Sequence, residues 1–403
     1  MTNVALPPKE PPAWQVGAAG LLALAVAMGI GRFAFTPMLP LMLQAGQLGV
    51  DAGGWLAAAN YAGYLAGALS ASRLRGSAAW LAAVALLGTA ALTSGMAIEG
   101  PLAWWALLRF GAGVTSAWTF VATSIWCLAA LARRAPSAWS TTLYAGVGAG
   151  IAIAGTDCLA GGAAGWSPPA LWEQLGLLAL VLVLPVLWVM ARDAQVAAPG
   201  DAATAPAAMP AGGRTLVACY GAMGFGYILP ATYLPALARD LVADPRIFGL
   251  AWPLFGTTAA ISTLVAARVL RRFTRLQVWR GSHWLMGAGV LLPGVWLSME
   301  TIVLSALLVG GTFMVVTLAG VQEIRARAQG DATRLVGRMT AAFAAGQIAG
   351  PVAASLLLRL SPTHGLQWAL QLGTAALVAG ALSLRRLDAL SSVPSLQEPF
   401  HAR

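Results

Sequence analysis

Charge is what this sequence has least of. Asp, Glu, Lys and Arg make up 9% of its 403 residues, against 59% hydrophobic, where a water-soluble globular chain carries about 25% charged residues. A shell so poor in charge cannot cover a water-facing surface. That excludes an ordinary soluble fold and predicts a polytopic membrane protein with the lipid bilayer as its first partner. Histidine is scarce as well, at three residues, His283, His364 and His401, none of them expected deep in an apolar run. Without a facing cluster of His, Asp or Glu, or a nucleophile beside a base, the sequence predicts no enzyme and no metal site. It also lacks a G-x-x-x-x-G-K-[ST] phosphate loop, so no nucleotide cofactor is expected. Cys127, Cys158 and Cys219 all fall within apolar runs and read as small core residues rather than disulfide partners.

What is there is apolar sequence in long blocks. At about 20 residues per crossing, the chain divides into twelve segments, approximately 14–43, 52–72, 77–97, 101–131, 138–163, 168–191, 214–238, 247–267, 277–297, 301–323, 336–358 and 364–384. The first follows "MTNVALPPKEPPAW", which has no basic leader, and outruns a signal-peptide core, so it is expected to stay in place. The expected architecture is all-α: a cytoplasmic tail over 1–13, a six-helix bundle over 14–191, a linker over 192–213, a second bundle over 214–386 and a tail over 387–403. The linker, "RDAQVAAPGDAATAPAAMPAGG", is rich in Ala, Pro and Gly and has little to bury.

The net charge of +10 would suggest nucleic acid if it were clustered on one soluble face. With the N-terminus placed in the cytoplasm, 18 of the 24 Lys and Arg fall on cytoplasmic segments, and the opposite loops hold Arg239, Arg246 and Arg359. The positive-inside rule accounts for that asymmetry. It predicts both termini inside, a location in the cytoplasmic (inner) membrane, and no nucleic-acid partner. Tryptophans at both sets of segment ends, Trp14, Trp139, Trp188 and Trp279 inside and Trp55, Trp104, Trp105, Trp166, Trp172, Trp296 and Trp368 outside, suggest interfacial belts.

The stretch "AMGIGRFAFTPMLPLM" (27–42) returns about 195 residues later as "AMGFGYILPATYLPAL" (222–237), with Tyr227 where Arg32 stands. Gly29, Gly31 and Pro40 align with Gly224, Gly226 and Pro235. A weaker echo links "YAGVGAGIAIAG" in segment 5 to "FAAGQIAGPVAA" in segment 11. Repeats six segments apart imply halves related by an axis along the membrane normal. Twelve segments as six plus six, the central linker and the inside termini resemble the major facilitator superfamily. "GIGRFAFTPMLPLM", "NYAGYLAGAL" and "RFGAGVTSAW" resemble its YbfB/YjiJ branch. The resemblance implies a central cavity lined by segments 1, 2, 4, 5, 7, 8, 10 and 11. Two departures stand out: "GALSASRLRG" (67–76) keeps Arg73 and Arg75 but lacks the aspartate usual in that loop, and segment 5 lacks the Gly-Pro that "GQIAGP" (346–351) carries in segment 11.

Four charges fall within the segments: Arg32, Arg109, Asp157 and Arg280. On insertion scales each costs about 2.5–3.5 kcal/mol near a helix centre. Arg32 is expected either to brace backbone carbonyls at the Pro37 kink or to receive an anionic group of a substrate, with Tyr227 opposite. Arg109, in "RFGAG", matches the segment 4 arginine of proton-coupled relatives. Asp157 is the carboxylate placed well inside a segment and hence the candidate proton carrier; an Arg109–Asp157 ion pair is the structural alternative. Arg280 and His283 are expected at the interface, and Glu99, Glu173 and Glu300 in solvent. Thr36, Tyr61, Tyr64, Trp118, Tyr144, Tyr233 and Gln347 complete a candidate amphipathic, aromatic-walled site.

Together these features predict a monomeric, proton-coupled secondary transporter that moves a small anionic or zwitterionic solute by alternating access. An efflux pump for drugs or amphiphiles, or a ligand sensor that moves nothing, are the alternatives.

Overall fold

The computed structural model describes residues 10–71, 77–134, 139–193, 208–329 and 332–391. The loop bearing Arg73 and Arg75, most of the linker (194–207) and both distal tails lie outside the described residues. Within them the chain is helical and contains no strand. The elements are α1 (Ala13–Leu24), a π-helix (Ala25–Ile30), α2 (Phe35–Gln44), α3 (Val50–Ala71), α4 (Ala78–Gly95), α5 (Leu102–Arg133), α6 (Trp139–Ala163) and α7 (Pro168–Arg192). After the linker come α8 (Gly213–Leu241), the short α9 (Pro245–Phe248), α10 (Ala251–Val269), α11 (Arg275–Val295), α12 (Met299–Arg327), α13 (Thr333–Leu360) and α14 (Gly365–Ser391).

Among the described residues, ten spans are long and apolar enough to cross a membrane. Segments 2 and 9 of the sequence reading, α3 and α11, are full-length helices outside that set, because Asp51, Asn60 and Tyr64 in one and Arg275, Gln277, Arg280 and His283 in the other dilute their hydropathy.

Local chemistry sets the helix ends. Ser77 and Ser167 cap α4 and α7 by accepting from Trp80 and Ala170 backbone N–H groups. Thr274–Gln277 and Ser298–Thr301 close reciprocal capping boxes at α11 and α12, satisfying N–H groups that a helix start leaves orphaned. Gly46 and Gly165 stop α2 and α6 with φ of 70° and 75°. In both places the next N–H reaches back across the turn, Gln47 to Met42 O at 3.0 Å and Trp166 to Gly161 O at 2.9 Å. That bond requires a left-handed residue where glycine carries no steric cost.

The helices approach more closely than side chains normally allow. Gly29 lies directly on the Gly150 backbone, Gly63 and Gly113 seat α3 against α5, and Gly148 and Gly256 seat α6 against α10. After the linker the pattern recurs: Gly224 lies on Phe343 of α13, and Gly346 on Gly221. The repeated glycines of the sequence are thus repeated backbone contacts. The elements up to α7 (the N-terminal set) meet those from α8 (the C-terminal set) along α6–α10, α3–α13 and α2–α8.

At the arginine-rich end, ion pairs tie helix termini. The fully buried Asp193 carboxylate accepts from Arg134 at 2.6 Å, Arg133 at 3.1 Å and Trp126 Nε1 at 3.0 Å. Glu323 accepts from Arg275 at 2.9 Å and Arg327 at 2.6 Å.

Several sequence expectations are corrected here. Trp105, Trp172 and Trp279 are buried core residues rather than belt residues, whereas Trp14, Trp55, Trp166, Trp188, Trp296 and Trp368 are exposed. His283 is fully buried rather than interfacial, accepting Trp279 Nε1 at 2.9 Å. Arg280, expected at the interface, is partly exposed and pairs with Asp388 at 3.2 Å. The three cysteines are free and buried, as expected.

Because a Cβ at Gly150 would collide with the Ala25 backbone, Gly150→Val is expected to destabilise the protein by about 1–3 kcal/mol or more. Thermal unfolding in detergent measures it; an unchanged midpoint would refute the close approach.

Candidate functional site

The site grows out of a defect in the first span. Pro37 has no N–H to give Phe33 O, and its ring crowds that carbonyl. Thr36 N–H turns to Phe33 O instead, at 3.2 Å, which abandons its helical partner, Arg32 O. Five residues upstream, the π-turn sends Gly31 N–H to Val26 O and Phe33 N–H to Met28 O, abandoning Ala27 O. Buried carbonyls without partners cost about 1–3 kcal/mol each, so other groups must cover them.

α5 covers them. Ser116 Oγ donates to Ala27 O at 2.6 Å, and Arg109 donates to Gly31 O at 3.2 Å and Arg32 O at 2.8 Å. Arg109 and Ser116 are seven residues apart and share a helix face. The Arg109 guanidinium also lies 4.9 Å from the Phe35 ring, and Asn60 Nδ2 holds Arg109 O at 2.8 Å. The carbonyl brace that the sequence offered as one role for Arg32 thus belongs to Arg109.

Arg32 is left to point elsewhere. It is 2% exposed, and its guanidinium lies 4.0 Å from the Tyr64 ring centre, 5.1 Å from Phe33 and 5.2 Å from Tyr61. Its Nη2 donates to Gln347 Oε1, and Gln347 Nε2 donates to Tyr227 Oη. Its Nε is shielded from solvent and has no partner. Among the described residues no carboxylate pairs with either arginine. Tyr227 stacks between Phe313 and Phe343, at 5.5 and 5.6 Å, which fixes the ring whose hydroxyl ends the chain.

Neighbouring bonds join the two sets of helices. Thr36 Oγ1 donates to Ala231 O at 2.6 Å, a carbonyl that Pro235 cannot serve. Tyr61 Oη and Thr232 Oγ1 are 3.2 Å apart. Nearer the arginine-poor end, Ser355 Oγ donates to Asp51 O at 3.1 Å, Arg359 stands 3.8 Å from the Asp51 carboxylate, and buried Tyr233 sits beside Gly54.

Of the sequence candidates, Arg32, Thr36, Tyr61, Tyr64, Tyr227 and Gln347 come together, and Tyr233 lies along the same seam. Trp118 and Tyr144 do not join the cluster: half-buried, they contact Ser70 (2.9 Å) and Phe120 (6.0 Å). The Arg109–Asp157 pair does not form either. Arg109 is claimed by the broken span, whereas Asp157 lies in a shallow groove with Ala152, Ile153, Thr156, Ala160 and Leu178, beside Gln174 of α7, and its Oδ2 has no partner. Sequence reasoning missed Ser116, Thr232 and Phe313. Seven-residue spacing from Arg109 was a legible signal for Ser116; the other two carry none.

The described residues thus form an all-helical bundle with many exposed apolar side chains, two buried arginines and a polar seam between two sets of helices. The model of the uncharacterised MFS-type transporter YbfB family matches residues 24–385, so the chain belongs to that family of the major facilitator superfamily. Solved structures share the fold at low identity. The nucleoside transporter NupG is 12% identical, with a TM-score of 0.66 over 93% of this chain and 98% of that one. The D-xylose-proton symporter is 13% identical, with 0.70 over 92% and 96%. The human organic anion transporter MFSD10 (TETRAN) is 15% identical, with 0.61 over 93% and 100%. No curated protein matches the sequence.

Arg109→Gln should lower the unfolding midpoint, since it strips charged donors from two buried carbonyls, at a cost of about 1–3 kcal/mol each. A midpoint equal to wild type would remove the bracing role.

Proposed function

We propose that this transporter moves a small organic anion or zwitterion by alternating access, with Arg32 as the receptor for the anionic group. One observation carries the reading: a permanent cation is buried at the seam between the two sets of helices, held by a neutral amide and three rings, with no carboxylate paired to it among the described residues. A structural arginine that deep would be expected to keep a carboxylate or several carbonyls, as Arg109 does. Tyr61, Tyr64 and Phe33 supply apolar walls, and Thr36, Tyr227 and Gln347 supply polar ones.

On this reading the chain crosses the membrane twelve times, α3 and α11 included, as bundles 14–191 and 214–386 around the linker, with both termini in the cytoplasm. It works as a monomer. The arginine asymmetry between loops supports the orientation. Protons drive the cycle through Asp157, whose unpartnered Oδ2 in an apolar groove gives a carboxylate reason to change protonation. Arg109 assists by holding the first span in place rather than by pairing with Asp157.

Arg32→Gln is expected to abolish uptake of carboxylates by proteoliposomes while expression holds; normal uptake would overturn the assignment. Asp157→Asn should flatten the pH dependence of uptake, and a variant retaining the full wild-type profile would remove the proton role.

A further inference from the structure

Gln347 is the neutral group that holds Arg32. Its planar carboxamide has the shape of a carboxylate but half the accepting capacity: one oxygen accepts, while the nitrogen donates to Tyr227. On the guanidinium, Nη2 and Nε lie on the same edge of the fork and are spaced to take the two oxygens of one carboxylate. Here Nη2 is occupied and Nε is not, although it is closed off from solvent. The site is half-filled by a residue of the chain itself.

Position gives that contact a second role. Gln347 is fully buried on α13 and Arg32 lies on the first span, so their bond crosses between the two sets of helices. The other hydrogen bonds across the seam among the described residues, Thr36–Ala231, Tyr61–Thr232 and Ser355–Asp51, have neutral donors and acceptors, and the Arg359–Asp51 ion pair is solvent-exposed and, at 3.8 Å, longer than a hydrogen bond. The Arg32–Gln347 bond is charge-assisted, in a class worth about twice a neutral one.

We propose that Gln347 is an internal stand-in for the substrate's carboxylate. It keeps Arg32 engaged and the two sets of helices joined while the site is empty; a carboxylate displaces it by filling both Nη2 and Nε. Displacement transfers Arg32 from a partner on α13 to a partner on the ligand and releases the charged bond across the seam. A neutral isostere lacks the second accepting oxygen and gains nothing over Gln347. The substrate class narrows to carboxylates, and binding is coupled to separation of the helices at this point. The inference rests on Arg32 being the anion receptor.

The test reads the seam directly. Spin labels at Gln47 and Thr363, beyond α2 and α13 at the arginine-poor end, report their separation in the full-length protein with its three buried cysteines replaced by alanine. Gln347→Glu presents a carboxylate that stays on the chain, so without ligand it should hold the labels at the short distance and block uptake. Gln347→Ala should raise the separated population roughly tenfold, the weight of one lost charged hydrogen bond. In wild type, acetate should raise that population and acetamide should not. A wild-type distance distribution in Gln347→Ala, normal uptake by Gln347→Glu, or equal responses to acetate and acetamide would overturn the inference. Failure of the underlying reading is distinguishable, because it appears as normal carboxylate uptake by Arg32→Gln whatever the labels report. Gln347→Glu keeps the size of the native side chain, so its result stands even if Gln347→Ala fails to fold.

Discussion

A guanidinium cannot be neutralised by losing its proton at any accessible pH, and this fold buries two of them within one bundle. Each costs about 2.5–3.5 kcal/mol at the centre of a span on insertion scales, and must be answered locally. The two are answered differently. Arg109 makes two hydrogen bonds to carbonyls that would otherwise be orphaned, each in a class worth about 1.5–3 kcal/mol, so it serves as structure, although its Nε, like that of Arg32, has no partner. Arg32 has one neutral amide oxygen and three rings; cation–π contacts add about 0.5–2 kcal/mol when desolvated. In hydrogen-bond acceptors the two differ, one for Arg32 against two for Arg109, and the rings that face Arg32 accept no conventional hydrogen bond, so its guanidinium keeps donors that an oxyanion could take.

The difference depends on backbone geometry, which in turn depends on residues that carry no charge. Pro37 and the π-turn expose carbonyls in the first span. Gly29 and Gly150 let α6 press against that span, and Gly63 and Gly113 hold α5 close to α3. Only at such separations does an arginine on α5 reach across to Gly31 O and Arg32 O. Once those carbonyls are held, Arg32's own side chain is free to turn toward the seam. The small residues act at a distance from the cation, through the path of the main chain.

Much of this was legible in the sequence, because hydropathy over twenty residues is a strong signal. Segment ends predicted at 168–191 and 101–131 agree with α7 and α5 to within about two residues. The repeat around Arg32 and Tyr227 located both ends of the polar chain, and Gln347 was singled out although nothing in its segment marks its partner. What could not be read was pairing. Arg109 and Asp157 share a depth, and depth alone suggested an ion pair; which face each presents is decided by helix packing. The π-turn was invisible for a related reason. It follows from a competition among neighbouring carbonyls that composition does not encode, so the brace was offered as one role for Arg32 and not foreseen for Arg109. Buried His283 and Trp279 show the same limit: an interfacial sequence address does not say which way a ring turns.

A seam that opens and closes must be made of bonds that can be exchanged at little net cost. Neutral bonds such as the Thr36 hydroxyl to Ala231 carbonyl bond and the Tyr61–Thr232 hydroxyl pair meet that requirement, because water can replace either partner with a net change of about 1 kcal/mol. A buried salt bridge across the same seam would not, since separating it strands two charges. The absence of a carboxylate opposite Arg32 among the described residues is therefore consistent with a joint that must come apart. Under the proposed function, an amide in that position holds the cation firmly enough to define one state and loosely enough to yield to an oxyanion. On that reading the same residue choice gives a permanent charge one acceptor, leaves the seam reversible and discriminates between carboxylates and neutral solutes, and no acidic side chain at that position would do all three.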